Sequence, residues 1–188
     1  MQAAVLVIDI VNDTLKRDTP LSRAVREFLP RLNGFLNHVR DRGHRVVFST
    51  DAFHESDPLF EGRRKGWSIR GTEGAKVARE IVRKPKDLWL PKPRWSAFFK
   101  TGLEDILREW GIDTVAVCGV TTQFCVMSTA MDAFAHDFRT VILSDLCASF
   151  SSDVHESALE NQRGEEALHS WFRIMTSIEI MAMMDRRV

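Results

Sequence analysis

The chain has no excess of charge of either sign: 26 Lys+Arg against 26 Asp+Glu in 188 residues leave a formal net charge of zero. With no block of like charges, that balance excludes a nucleic-acid or membrane-surface binder working through bulk electrostatics. Arg23–Arg31 and Glu61–Lys65 concentrate charge but are mixed or short, and read as solvated faces. Long apolar runs are missing too, none approaching the ~20 residues of a membrane span. Cysteine is scarce and odd in number (Cys118, Cys125, Cys147), which excludes a disulfide framework and fits free thiols in a reducing cytoplasm. Met1-Gln2-Ala3-Ala4 runs straight into Val5-Leu6-Val7-Ile8 with no basic leader or cleavage pattern, so the start is read as neither signal peptide nor anchor. No glycine follows the first apolar run (Val11-Asn12-Asp13-Thr14), which excludes a phosphate-cradling loop there. Repeats, linkers and low-complexity tracts are lacking. These absences predict a cytoplasmic protein with one domain over residues 1–188, engaging neither nucleic acid nor membrane.

What is present is globular in kind: 44% apolar and 28% charged residues. Ala4–Ile10, Arg45–Thr50, Thr114–Cys118 and Thr140–Ser144 are nearly continuous β-branched or apolar runs, the mark of buried parallel strands, and Ile174–Thr176 is a weaker late one. Leu21–Arg42 carries Leu29, Leu32, Phe35, Leu36 and Val39 at helical spacing and stops at Gly43. Thr101-Gly102-Leu103-Glu104 reads as a capping box for a helix Leu103–Trp110, and Thr176-Ser177-Ile178-Glu179 as another before a last helix Ile178–Met184. Lys84–Arg94, with Pro85, Pro91 and Pro93, reads as an extended loop. This alternation predicts an α/β fold: a three-layer α/β/α sandwich with a mostly parallel, Rossmann-like central sheet. Ligands then belong at the carboxyl ends of the strands.

Three positions at such ends carry chemistry. Asp9 interrupts the first apolar run, where a carboxylate is costly unless paired. Cys125 follows the turn Gly119-Val120-Thr121-Thr122 and falls in the first turn of an expected helix Gln123–Ala135, where free amides and the helix dipole would lower a thiol pKa and hold an oxyanion. Lys92 is held between Pro91 and Pro93. Cys118, inside its strand, and Cys147 read as structural. A carboxylate, a cation and a thiol together would make a base, a charge stabiliser and a nucleophile.

Val7-Ile8-Asp9-Ile10-Val11-Asn12-Asp13, then Lys92-Pro93-Arg94-Trp95-Ser96-Ala97-Phe98-Phe99-Lys100-Thr101, then Gly119-Val120-Thr121-Thr122-Gln123-Phe124-Cys125-Val126 resemble the three signature blocks of the isochorismatase-like cysteine hydrolases. That superfamily includes nicotinamidases, N-carbamoylsarcosine amidase, and ureide and biuret hydrolases. The resemblance implies Asp9 as general base, Lys92 as catalytic lysine and Cys125 as nucleophile. It also implies oxyanion binding by the backbone N–H groups of Thr121 and Cys125, and a cis peptide at Val120–Thr121. The activity implied is hydrolysis of a C–N amide or ureide bond of a small molecule through a Cys acyl-enzyme, with no cofactor, by a homodimer or homotetramer.

The departures from the family pattern shape the expected pocket. The first block usually reads Asp-x-Gln-x-Asp-Phe, and here Val11 stands at the Gln position and Thr14 at the Phe position. Nicotinamidases hold a metal through an Asp-x-His pair and a later His. Here Asp51 is present, but Phe53 stands at the first His position and Trp67 near the second. His54 reaches that place only by a shift of register. The reading is therefore no metal, with Val11, Thr14, Phe53, Trp67 and Trp95 as pocket residues. Two alternatives share the fold: vinyl-ether hydrolysis of isochorismate with Asp9 as acid, and a non-catalytic binding protein.

Overall fold

The computed structural model describes residues 1–62, 66–163 and 173–186, the last three side chains of the middle segment excepted, so the end of the charged stretch Glu61–Lys65 lies outside the described residues. In chain order the main elements are β1 (Ala3–Ile8), α1 (Asn12–Leu15), α2 (Pro20–Asp41), β2 (Arg45–Asp51), β3 (Leu88–Lys92), α3 (Leu103–Glu109), β4 (Thr114–Val120), α4 (Met127–Ala135), β5 (Arg139–Ala148), α5 (Ser152–Arg163), β6 (Arg173–Met175) and α6 (Ser177–Asp185). The strands form one sheet in the order β3-β2-β1-β4-β5-β6, every pairing parallel. Helices flank it, as the strand–helix alternation implies: α2 packs on β2, β5 and α6, while α4 packs on β4 and β5.

β1 and β4 are buried along their whole length, which is why they read as unbroken apolar runs rather than alternating ones. The helix α2 runs through Pro30, whose missing N–H and ring clash cost about 3 kcal/mol in a helix interior. Burial of Val25, Phe28, Leu29, Leu32, Phe35, Leu36 and Val39 on its sheet side outweighs that cost, at roughly 1.5–3 kcal/mol for each fully buried side chain.

Several sequence expectations are corrected. The proline-bearing segment is not all loop, since Leu88–Lys92 forms β3, paired in register with Val47–Asp51. Pro91 is accommodated because β3 lies at the sheet edge, where a missing N–H costs no ladder bond. The expected box at Thr101 does not form: Gly102, at φ 72°, is the N-cap, and the Thr101 hydroxyl accepts from the Leu103 N–H at 3.3 Å instead. The box at Thr176 does form, Thr176 accepting from the Glu179 N–H while the Glu179 carboxylate accepts from the Thr176 N–H. The helix expected from Gln123 begins only at Met127, after a π-helical turn Thr122–Val126. No periodicity announces α5, whose less exposed side among the described side chains is a narrow stripe of half-buried His155 and Ala158 and buried Leu159.

Candidate active site

Three neighbouring strands end in charge. Asp51 closes β2 and Lys92 closes β3, and the register sets them side by side. Asp9 lies one residue beyond β1, its N–H donating to the Ser49 carbonyl at 3.1 Å. The Lys92 ammonium, fully buried, lies 2.8 Å from Asp9 Oδ2 and is also paired with Asp51 Oδ1. The Asp51 N–H donates to Asp9 Oδ1 at 2.6 Å. An unpaired ammonium at this depth would cost several kcal/mol, so the two carboxylates are what permit it. Burial acts to lower the Lys92 pKa, but the Asp9 and Asp51 carboxylates beside it outweigh that and hold the ammonium above its ordinary value. Burial, and then the Asp9 charge, push Asp51 up to about 7 against the pull of Lys92.

Asp9 is held in place through its backbone. It adopts φ 53°, and its carbonyl accepts from the Val11 N–H and the Thr14 hydroxyl, each at 3.0 Å. Asp9 Oδ2 is buried and accepts no well-aligned hydrogen bond among the described residues.

The thiol arrives from the next strand. At the end of β4, Gly119 has φ 113°, and a Cβ there would come within 2.1 Å of the Ile8 carbonyl oxygen. Only glycine lets β4 press this closely on the strand that carries Asp9. The Val120–Thr121 peptide bond is cis. Among the described residues the Thr121 N–H meets no acceptor. The π-helical turn follows and carries Cys125, whose Sγ lies within 4.8 Å of ligand atoms of Asp9 and Asp51. Burial, then Asp9, push this thiol well above its ordinary pKa, with Lys92 opposing. The depressed pKa expected from a helix start is thus corrected: the thiol is neutral at rest because it is buried beside a carboxylate. Cys118 and Cys147 are buried as well, and burial pushes both thiols up, Cys147 to about 12.

The pocket residues named from sequence scatter in their settings. Val11 is buried and its backbone bridges to Val77, while Thr14 spends its hydroxyl on Asp9. Phe53, Phe60 and Trp67 form an edge-to-face cluster with centroids 5.3–6.3 Å apart. Phe53 is buried within it and Trp67 is 43% exposed. Trp95 stacks on Phe124, the residue before Cys125, with centroids 5.2 Å apart.

A metal set of the nicotinamidase kind does not fit these residues. Asp51 is engaged by Lys92, while Phe53 and Trp67 offer no ligand atom. The ligand-type atoms of Asp9, Asp51 and Cys125 do converge, but the Lys92 ammonium already supplies the cation against both carboxylates. His54 is exposed and its Nδ1 lies 2.7 Å from the Ser56 hydroxyl.

Sequence reading missed Asp51 as a partner of Lys92. The available signal was its place: like Asp9, it is a carboxylate ending an apolar strand.

Comparison with known proteins identifies the family. The isochorismatase domain family matches residues 3–173. An isochorismatase-like hydrolase from Alkaliphilus metalliredigens superposes with a TM-score of 0.86 at 31% identity, covering 97% of this chain and 99% of that one. N-carbamoylsarcosine amidase from Thermoplasma acidophilum gives 0.79 at 27% identity, over 94% and 97% of the two chains. The nicotinamidase PncA of Bacillus subtilis gives 0.75 at 28%, over 93% and 100%. With the family matched along nearly its whole length and charged groups gathered at the strand ends, the chain belongs to the isochorismatase family of hydrolases.

Proposed function

We propose that this hydrolase cleaves a C–N amide or ureide bond of a small molecule through a covalent acyl-enzyme on Cys125, without a metal. The observation that carries the reading is the placement of the Asp9 carboxylate between the Lys92 ammonium and the Cys125 thiol. The amidases among its structural neighbours support the C–N bond as target.

In this reading Asp9 accepts the thiol proton as Sγ attacks the substrate carbonyl carbon. The C=O π electrons move onto oxygen, which the N–H groups of Thr121 and Cys125 receive. Collapse of the adduct breaks the C–N bond, and Asp9 returns its proton to the departing nitrogen. Water then attacks the thioester, its proton passing to Asp9. The carbonyl re-forms as the C–S bond breaks, and Asp9 restores the thiol proton. Lys92 keeps the carboxylate in place and offsets negative charge throughout. Because the resting thiol is neutral, the nucleophile is generated only as proton transfer and attack proceed together. The aromatic cluster at Phe53 and Trp67 stands where nicotinamidases hold metal-binding imidazoles, so in this reading it is the Lys92 ammonium that faces the two carboxylates.

The test is intact-protein mass spectrometry with peptide mapping after a short pulse with nicotinamide, N-carbamoylsarcosine and a panel of simple amides and ureides. An acyl adduct on Cys125 from a turned-over compound is expected. Turnover by a Cys125→Ala protein would overturn the reading and favour acid catalysis by Asp9.

A further inference from the structure

The π-helical turn Thr122–Val126 has little of its own to hold it. Its N-cap, Thr121, makes no side-chain cap bond, and neither does Val126 at the start of α4. Yet the turn must fix both the nucleophile and the amides that would receive the oxyanion, and a displacement of about 1 Å at such a site costs on the order of 100-fold in rate.

The bracing comes from outside. Between Val117 and Gly119 the register of β4 on β5 jumps, so that Gly119 and Val120 pair with Cys147 and Ala148. That bulge brings the end of β5, and α5 after it, up against the turn. Two consecutive turn residues are then held by side chains from this segment. The Ser149 hydroxyl donates to Gln123 Oε1 at 2.6 Å. His155 Nδ1 lies 2.8 Å from the Thr122 hydroxyl oxygen. Thr122 is fully buried, so its hydroxyl needs a protein partner. His155 lies on the less exposed stripe of α5, where an apolar residue would serve packing alone. The tautomer with the proton on Nε2, which Glu156 Oε1 faces from 3.9 Å, is the one in which Nδ1 accepts from the Thr122 hydroxyl. A β-branched side chain whose oxygen is fixed has its χ1 fixed, and with it the backbone between Thr121 and Cys125.

We propose that His155 is a positioning residue for the oxyanion-binding turn, acting through the Thr122 hydroxyl. This rests on the acyl-enzyme reading above. The class of reaction it serves is any attack on a carbonyl in which charge collects on oxygen.

The test separates acyl transfer from simple thiol reactivity. p-Nitrophenyl acetate reports acetylation of Cys125 with release of p-nitrophenolate and needs an oxyanion site; iodoacetamide alkylates the same thiol without one. In His155→Leu, Cys125 acetylation should fall about 10–100-fold while its alkylation stays within about twofold of the parent. His155→Asn, whose amide oxygen occupies the place of Nδ1, should restore acetylation to within about threefold. Thr122→Val and Thr122→Ser should repeat the loss and the rescue, and serve if His155→Leu does not fold. Equal losses in acetylation and alkylation, no loss at all, or no rescue by Asn and Ser would overturn the proposal. Failure of the parent protein to acetylate Cys125 would instead overturn the acyl-enzyme reading.

Discussion

Cys118 and Cys125 stand seven residues apart, both buried, both with thiols pushed up by that burial. Depth does not tell them apart. Cys118 is locked in β4 opposite Val7, where burial, and after it Cys147 and Asp145, push its thiol up. Cys125 sits past the strand end, facing two carboxylates and an ammonium. What separates an inert thiol from a candidate nucleophile here is a group able to take the proton, not a lower resting pKa. The sharpest way to break the comparison is to remove each sulfur. Cys125→Ala should lose about 10⁴-fold or more in amide turnover with an unchanged far-UV spectrum and thermal midpoint. Cys118→Ala should keep turnover. Equal losses in the two variants would end the distinction.

The next largest effect lies with Lys92. Lys92→Met removes the cation paired with both Asp9 and Asp51, leaving two buried carboxylates facing each other. Breaking a buried pair in this way costs about 3–5 kcal/mol, which urea unfolding would read directly. Turnover should fall by at least about 100-fold, since Asp9 loses its anchor beside the thiol. A variant with parental stability would show that the ammonium is not held as described.

How much of this was legible follows from what each feature depends on. Asp9 and Cys125 announce themselves because a carboxylate interrupting Val-Leu-Val-Ile, or a thiol after a strand and turn, is locally odd. The strands β1, β2 and β4 are legible because burial on both faces leaves an unbroken apolar run. By contrast β3 contains Pro91 and is only half-buried, so local propensity argues against it, and only pairing with β2 makes it a strand. The Asp51–Lys92 contact depends on that same pairing and register, which no local pattern encodes. His155 was hidden for a similar reason: α5 is so exposed that its narrow stripe leaves almost no apolar signal. The aromatic substitutions Phe53 and Trp67 were readable as departures from a family pattern. Their clustering with Phe60 needed the fold.

Asp51 offers the smallest and most discriminating perturbation. Its charge raises the Cys125 thiol but is not among the influences on Cys118. Asp51→Asn should therefore speed alkylation of Cys125 by iodoacetamide at pH 8 by several-fold and leave Cys118 unaffected, as peptide mapping would show. Stability supplies an independent reading. With its folded pKa raised to about 7 from an ordinary 3.8, Asp51 holds a proton in the folded state that the unfolded chain gives up. Its contribution to folding is therefore undiminished below about pH 4, falls as pH rises through about 7, and is constant beyond. The parent protein should lose thermal stability relative to Asp51→Asn across that window, and the gap should stop widening above it. A gap independent of pH would mean that Lys92 keeps Asp51 ionised throughout, with no rise of its folded pKa over that of the unfolded chain.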